Sequence, residues 1–242
     1  MKRQIPLVAL LPLLLLGMFS SCRQDNAATI RNVRFDPKLL NQVQDGDAPT
    51  CKNYTYYYSQ EPKSLGTVHT KKVSVAFSET LSHEDRKAVI ARYGFVKAMG
   101  QPVRTNSAML YALQLENGLN CKQVENALNV LQADEQITYA APFFATSANG
   151  GSGLTGLSNE LLVTLQDGTS EARLNQLASD VQATVVMGLG QNVFVLEVNK
   201  NAKGNALEVA NLLRQQNGVA NAEPDFIVSL DRSVAPNMPT ER

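Results

Sequence analysis

The sequence predicts an α+β fold built from two consecutive domains, each with the element order βαββαβ. Strand and helix periodicities alternate in that order over residues 73–144 and return over residues 161–228. Residues 73–100 align with residues 161–188 without a gap, and their apolar positions agree in phase. A Gly/Ser-rich stretch, residues 148–158, separates the two segments and is typical of a linker.

The first domain is expected to span residues 54–147. Val73, Val75 and Phe77 alternate with smaller residues, which indicates a half-buried strand. Ser82 precedes an acidic first turn and predicts the start of a helix that ends at Tyr93. Two strands, a second helix and a last strand follow at residues 96–99, 109–116, 122–132 and 137–144.

A tyrosine-rich segment opens this domain. Residues 54–58 have the composition of a strand, and residues 60–63 predict a turn after it. The tyrosine run is compatible with a binding surface and with an edge strand that packs one face.

The second domain is expected to span residues 159–230. Leu161, Val163 and Leu165 form its first strand, and Ser170 caps its first helix. The glycines at 188 and 190 lack the third glycine of a dinucleotide site and predict a tight turn between strands. The other elements are placed at residues 182–187, 193–198, 206–216 and 219–228.

This element order predicts a ferredoxin-like arrangement for each domain, with a four-stranded antiparallel sheet and two helices on one face. The opposite face of each sheet then has to be covered by water, by a partner or by the other domain. The chain is therefore expected to contain two tandem ferredoxin-like domains.

The first 22 residues are typical of an export signal. A basic start at Lys2 and Arg3 is followed by an apolar run over residues 7–17 and by small residues before Cys22. This pattern resembles a bacterial lipobox, in which the cysteine is acylated and becomes the first mature residue. We expect residues 1–22 to be a lipoprotein signal peptide and residues 23–53 a tether, with the protein lipid-anchored in the cell envelope. The alternative is an uncleaved membrane anchor, although the run is shorter than the ~20 apolar residues that a span requires.

Cys51 and Cys121 are then the remaining cysteines in an oxidising compartment. They could form one disulfide or stay as two free thiols, and the sequence leaves both alternatives open. Two histidines cannot build a His-rich metal site, and we expect no metal and no other cofactor. The zero formal net charge gives no electrostatic basis for binding nucleic acid. No nucleophile with a base and an orienting group can be nominated, so the sequence predicts a protein that is not an enzyme.

Three stretches of the second domain carry a family resemblance, namely residues 159–165, 168–171 and 219–228. They resemble the propeptide of subtilisin-like serine peptidases, and the fervidolysin-type prodomain in particular. The family's last strand reads Val-x-x-Ala-Glu-Pro-Asn-Tyr, and Asp225 and Phe226 replace its Asn and Tyr conservatively. The first domain matches less well and has Ala141 where the family has Glu.

The resemblance implies a non-catalytic module that binds a subtilisin-like serine peptidase, as an inhibitor or as a folding chaperone. In that family the sheet packs on the peptidase and the C-terminal tail lies in the substrate cleft. The residues implied in partner binding are Glu223, Pro224, Asp225, Phe226, Ser229 and Leu230.

The tail, residues 231–242, is polar and contains proline, which fits a segment that adds as a strand to a cleft and also fits a frayed terminus. The chain ends at Arg242, about where the peptidase would begin, so we expect a prodomain without its enzyme. Two alternatives stay open: an envelope interaction module with no peptidase partner, and the remnant of a protease that lost its catalytic half.

Overall fold

The computed structural model describes residues 51–58, 61–146 and 153–229. These residues form an α+β fold with antiparallel sheets and four α-helices, which confirms the predicted class. The elements are β1 (Tyr54–Tyr58), β2 (Glu61–Gly66), β3 (Val68–Phe77), α1 (His83–Ile90), β4 (Val96–Arg104), β5 (Met109–Leu115), α2 (Cys121–Ala133), β6 (Ile137–Thr146), β7 (Gly153–Leu165), α3 (Glu171–Asp180), β8 (Thr184–Gly190), β9 (Val193–Glu197), α4 (Ala206–Leu213) and β10 (Val219–Ser229).

Each helix begins directly after a polar residue whose side chain accepts a hydrogen bond from a backbone N–H of the first turn. Such caps satisfy donors that the helix itself leaves unpaired. Ser82 and Ser170 were expected from the sequence, whereas Asn120 and Asn205 are additional caps. The sequence therefore sets where each helix starts.

The strands form one eight-stranded sheet in the order β4-β5-β3-β6-β7-β9-β8, with β10 also paired to β7. Strand β7 makes this continuity possible because its first part pairs with β6 and its later part with β9. Residues 68–146, the first segment, and residues 153–229, the second segment, contain four strands each. In both segments the strands lie side by side in the same order: fourth, first, third and second along the chain. A separate two-stranded hairpin, β1–β2, lies outside the sheet.

The hydrophobic core lies between the sheet and the helices. Helix α2 packs on β3 and β6, and helix α4 packs on β7 and β10. Val124, Leu128 and Leu131 of α2 have the helical spacing noted in the sequence and are buried. One cluster of buried side chains extends through both segments, and all described residues belong to one compact unit.

The predicted turn at residues 60–63 is wrong for its described part. Glu61, Pro62 and Lys63 belong to β2, and Pro62 lies opposite Tyr57 in the hairpin. Proline is tolerated here because each strand of a two-stranded hairpin is an edge strand, and the N–H that proline lacks is not needed on the unpaired side.

Two other elements differ from the prediction. Residues 153–158, assigned to the linker, form the start of β7, because they fill the space between β6 and β10. Residues 188–190 were expected to form a turn but end β8, and the turn itself is Gln191-Asn192. Both residues have positive φ, 51° and 60°, as a two-residue hairpin turn requires.

Several expectations fall on other parts of the chain. The signal peptide with Cys22, residues 23–50 of the tether, Leu230 and the tail lie outside the described residues. Among the described helices, none is long and apolar enough to cross a membrane.

Candidate partner-binding surface

Strand β10 carries most of the residues that the resemblance implies in partner binding. It pairs antiparallel with β7, with Glu223 opposite Leu162 and Pro224 opposite Leu161. The register shifts between Pro224 and Phe226, where Asp225 of β10 faces the three residues 158–160 of β7, so the extra residues of this bulge belong to β7. A bulge disrupts the strand ladder locally and changes the direction of the bulged strand.

The structure gives these residues different surroundings. Pro224 is buried in the sheet, whereas Glu223, Asp225 and Phe226 are half-buried. Ser229 is the last residue of β10. Pro224 can therefore shape the strand but offers little surface to a partner, and direct contact is left to the half-buried residues.

Phe226 is covered by the N-terminal hairpin. The Tyr56 ring stands edge-on to the Phe226 ring, with centroids 5.2 Å apart. Tyr54 is buried and packs on Phe144 of β6 at 5.1 Å. Tyr54 and Tyr56 are thus packed, and Tyr56 partly shields Phe226, one of the residues that the resemblance implies in partner binding.

Polar contacts hold the hairpin against α4. The Arg214 guanidinium lies 3.7 Å from the Tyr57 ring centroid, a cation–π contact. The Asn211 side-chain amide donates a hydrogen bond of 2.8 Å to the Thr55 carbonyl. Lys52 forms an ion pair with Glu208 of α4. These contacts order the hairpin on the second segment.

The same hairpin is tied to α2 of the first segment. Cys51 and Cys121 are disulfide-bonded, with Cα atoms 5.9 Å apart, within the range that disulfides span. The Lys52 backbone N–H donates to a Glu125 carboxylate oxygen at 3.2 Å. Burial, together with Glu125 and Glu208, raises the pKa of Tyr54. The hairpin therefore bridges both segments.

The C-terminal end of β10 borders a groove on the sheet of the first segment. The groove holds about 520 Å³, and Met99, Phe143, Ile227 and Val228 contribute to its lining. Val228 is 68% exposed. Strand β10 thus ends beside an open, partly apolar surface.

A partly buried polar network joins the β4–β5 turn to β7. Glu160 is only 3% exposed and accepts three hydrogen bonds, from the Ser107 backbone N–H, the Ser107 hydroxyl and the Asn106 amide, at 2.7, 2.7 and 2.8 Å. Thr105 adds a hydrogen bond of 3.0 Å to Asn159. No sequence motif indicates this network, because its partners lie more than 50 residues apart.

Glu197 lies directly opposite Glu160 in the β7–β9 ladder. Burial, and next the charge of Glu160, raise the pKa of Glu197. Its side chain lines a cavity of about 640 Å³, and Arg86 and Arg104 line the same cavity. Over the described residues, no three His, Cys, Asp or Glu side chains are grouped so that they could hold a metal ion.

Comparison with known proteins supports a propeptide-like domain in the second segment. The family model of the fervidolysin N-terminal prodomain matches residues 148–225. The match covers less than half of the chain and includes Glu223, Pro224 and Asp225 of β10.

No curated protein matches the chain. The crystal structure of the acetolactate synthase small subunit from Thermotoga maritima is similar over 68% of this chain and 99% of that chain, at 10% identity and a TM-score of 0.27. A TM-score this low carries no structural or functional argument.

Proposed function

We propose that the chain is a non-catalytic, propeptide-like module that binds a subtilisin-like serine peptidase, as an inhibitor or as a folding chaperone. The observation that carries the proposal is the prodomain match over residues 148–225. It ends within β10, the strand that leads into the C-terminal tail.

The geometry of β10 supports an inhibitory tail. The strand is extended up to Ser229, and Val228 near its end is exposed. A chain that leaves a sheet in extended conformation can continue as an added strand in a protease cleft. There, backbone hydrogen bonds give affinity and side chains give specificity. Residues 229–242 are the proposed cleft-binding segment.

The second segment is the proposed peptidase-binding copy of two tandem ferredoxin-like domains. The equal strand order of the two segments and their gap-free alignment support a duplication. Glu223 is half-buried, whereas Ala141, at the corresponding position of the first segment, is fully buried and carries no charge. We assign the partner contact to the copy that keeps the acidic residue.

Export and lipid anchoring at Cys22 belong to the same proposal and rest on the sequence pattern of residues 1–22. Labelling of the expressed chain with a radioactive fatty acid tests them. We expect label on the wild-type chain and none on Cys22→Ala, and equal labelling of both would contradict lipidation at this residue.

The inhibitory role is tested with residues 23–242 and the same protein truncated after Val228, each titrated against a broad-specificity subtilisin. We expect the longer protein to slow peptide hydrolysis and the truncated one to lose most of that inhibition. Refolding of denatured peptidase in the presence of either protein tests the chaperone role. If neither protein changes hydrolysis or refolding, the proposed function is wrong.

A further inference from the structure

Three strands of the described sheet, β4, β8 and β10, pair with a neighbouring strand on one side only. Such edges present unpaired backbone groups, and proteins commonly protect them with charged residues or proline. Strand β4 carries Lys97, Pro102 and Arg104, and strand β10 carries Glu223, Pro224 and Asp225. Strand β8, with the sequence TVVMGLG, carries neither a charge nor a proline.

Strand β8 is also exposed along most of its length. Met187 is 39% and Leu189 is 56% exposed, and Gly188 and Gly190 are exposed as well. Both β8 and β4 contain two register shifts, so bulges do not distinguish the two edges. The two edges differ in sequence: β4, which has the corresponding position in the first segment, carries charged residues and a proline, and β8 carries neither.

We propose that β8 pairs antiparallel with β8 of a second copy of this chain, about a two-fold axis. A neutral strand can lie opposite itself without placing like charges side by side. Self-pairing of β4 or β10 would bring together basic or acidic residues, which is unfavourable. A two-fold interface uses the same surface on both copies. Here it would cover Met187 and Leu189 on each copy.

The extent of the contact predicts its strength. Seven residues on each copy are fewer than the roughly 20–30 on each side of a stable interface, so a contact through β8 alone is weak and transient. Dimerisation is therefore expected to depend on concentration. This inference does not depend on the proposed peptidase partner, because β8 lies at the far side of β9 from β7 and β10.

Cysteine cross-linking in the full chain tests the pairing. Single cysteines replace Thr184, Met187 or Leu189 on β8, and Val103→Cys on β4 is the matched control, since Val103 is 46% exposed on the protected edge. Identical positions in a two-fold strand pair come within disulfide range only near the axis. We expect a covalent dimer at one or two adjacent β8 positions, while Val103→Cys and the wild-type chain stay at background.

A charge placed on β8 provides the second arm. In the background that cross-links best, Met187→Lys or Leu189→Lys is added, whichever position is not the cysteine, and is expected to reduce dimer formation at least about tenfold, because both copies then carry a like charge in the strand pair. Val103→Lys should leave it unchanged, and a thermal melt of both lysine variants shows that they fold. Cross-linking equal to wild type at all three β8 positions, equal cross-linking at Val103, no effect of the lysine on β8, or cross-links only to a different protein would overturn the proposal.

Discussion

Gly156→Ala tests how the two segments join into one sheet. Gly156 of β7 lies directly opposite Phe143 of β6. A Cβ atom at this position would lie 2.6 to 2.8 Å from three atoms of the Phe143 ring. Carbon atoms in contact normally stay about 3.5–4.0 Å apart, so the ring or the strand would have to move by about 1 Å.

Phe143 is 1% exposed, so the ring can move only toward the groove that it also lines beside β10. Overpacking of this kind typically destabilises by about 1–3 kcal/mol. For a chain of this size, each kcal/mol lowers the melting temperature by roughly 2–4 °C. We therefore expect Gly156→Ala to lower the melting temperature by about 2–12 °C.

Thermal unfolding followed by circular dichroism measures the effect. The matched control is Gly188→Ala, whose added Cβ would meet the Phe194 ring at 3.5 Å, an ordinary contact. We expect the control to change stability by less than about 0.5 kcal/mol. The double variant Phe143→Leu with Gly156→Ala should recover part of the loss, since the two residues touch. Equal melting temperatures for the two alanine variants, or no recovery in the double variant, would refute this packing.

Three further predictions concern the polar and covalent contacts. Glu160→Ala should destabilise by about 1–3 kcal/mol, because the half-buried Ser107 donors and the exposed Asn106 amide lose their acceptor; Glu160→Gln should cost less. Glu197→Gln should raise the free energy of unfolding at pH 7 by no more than about 0.5 kcal/mol, because the raised pKa means that the fold disfavours the charged carboxylate and solvent screens a half-buried group. Replacement of Cys51 and Cys121 by serine should destabilise by about 2–4 kcal/mol, since the bridge closes a loop with a separation of 70 residues.

Each of these predictions has a contradicting result. Equal stability of Glu160→Ala and Glu160→Gln would show that the hydrogen bonds contribute little. The stabilising contribution of Glu197 is present below its unfolded pKa and is lost as the pH rises through the higher folded pKa. A Glu197→Gln advantage that is larger at pH 4 than at pH 7 would therefore contradict the assignment. An intact mass of the unreduced protein that equals the fully thiol form would exclude the bridge.

The sequence predicted the element order well, because the signals for it are local. Alternating apolar residues such as Val73 and Val75 define strands, and Ser82 and Ser170 mark helix starts within a few residues. The start of β7 was missed because residues 153–158 are rich in Gly and Ser and become a strand only through pairing with β6 and β10. Local composition cannot report such long-range pairing.

The candidate site was only partly predictable for the same reason. Glu223 and Asp225 were singled out from a family pattern and lie half-buried on β10. The cover of Tyr56 over Phe226 joins residues 170 positions apart, and no pattern in the sequence connects them. The Glu160 network is likewise built from separate turns and strands. A tertiary network of this kind becomes visible only when the fold brings its parts together.

The most direct test of the central claim is binding of residues 23–242 to a subtilisin-like peptidase whose catalytic serine has been replaced by alanine. The replacement keeps the tail from being cut during the experiment. Isothermal titration calorimetry should yield a saturable 1:1 complex that weakens strongly when the chain is truncated after Val228. Absence of any binding by either protein, to each of several such peptidases, would contradict the account.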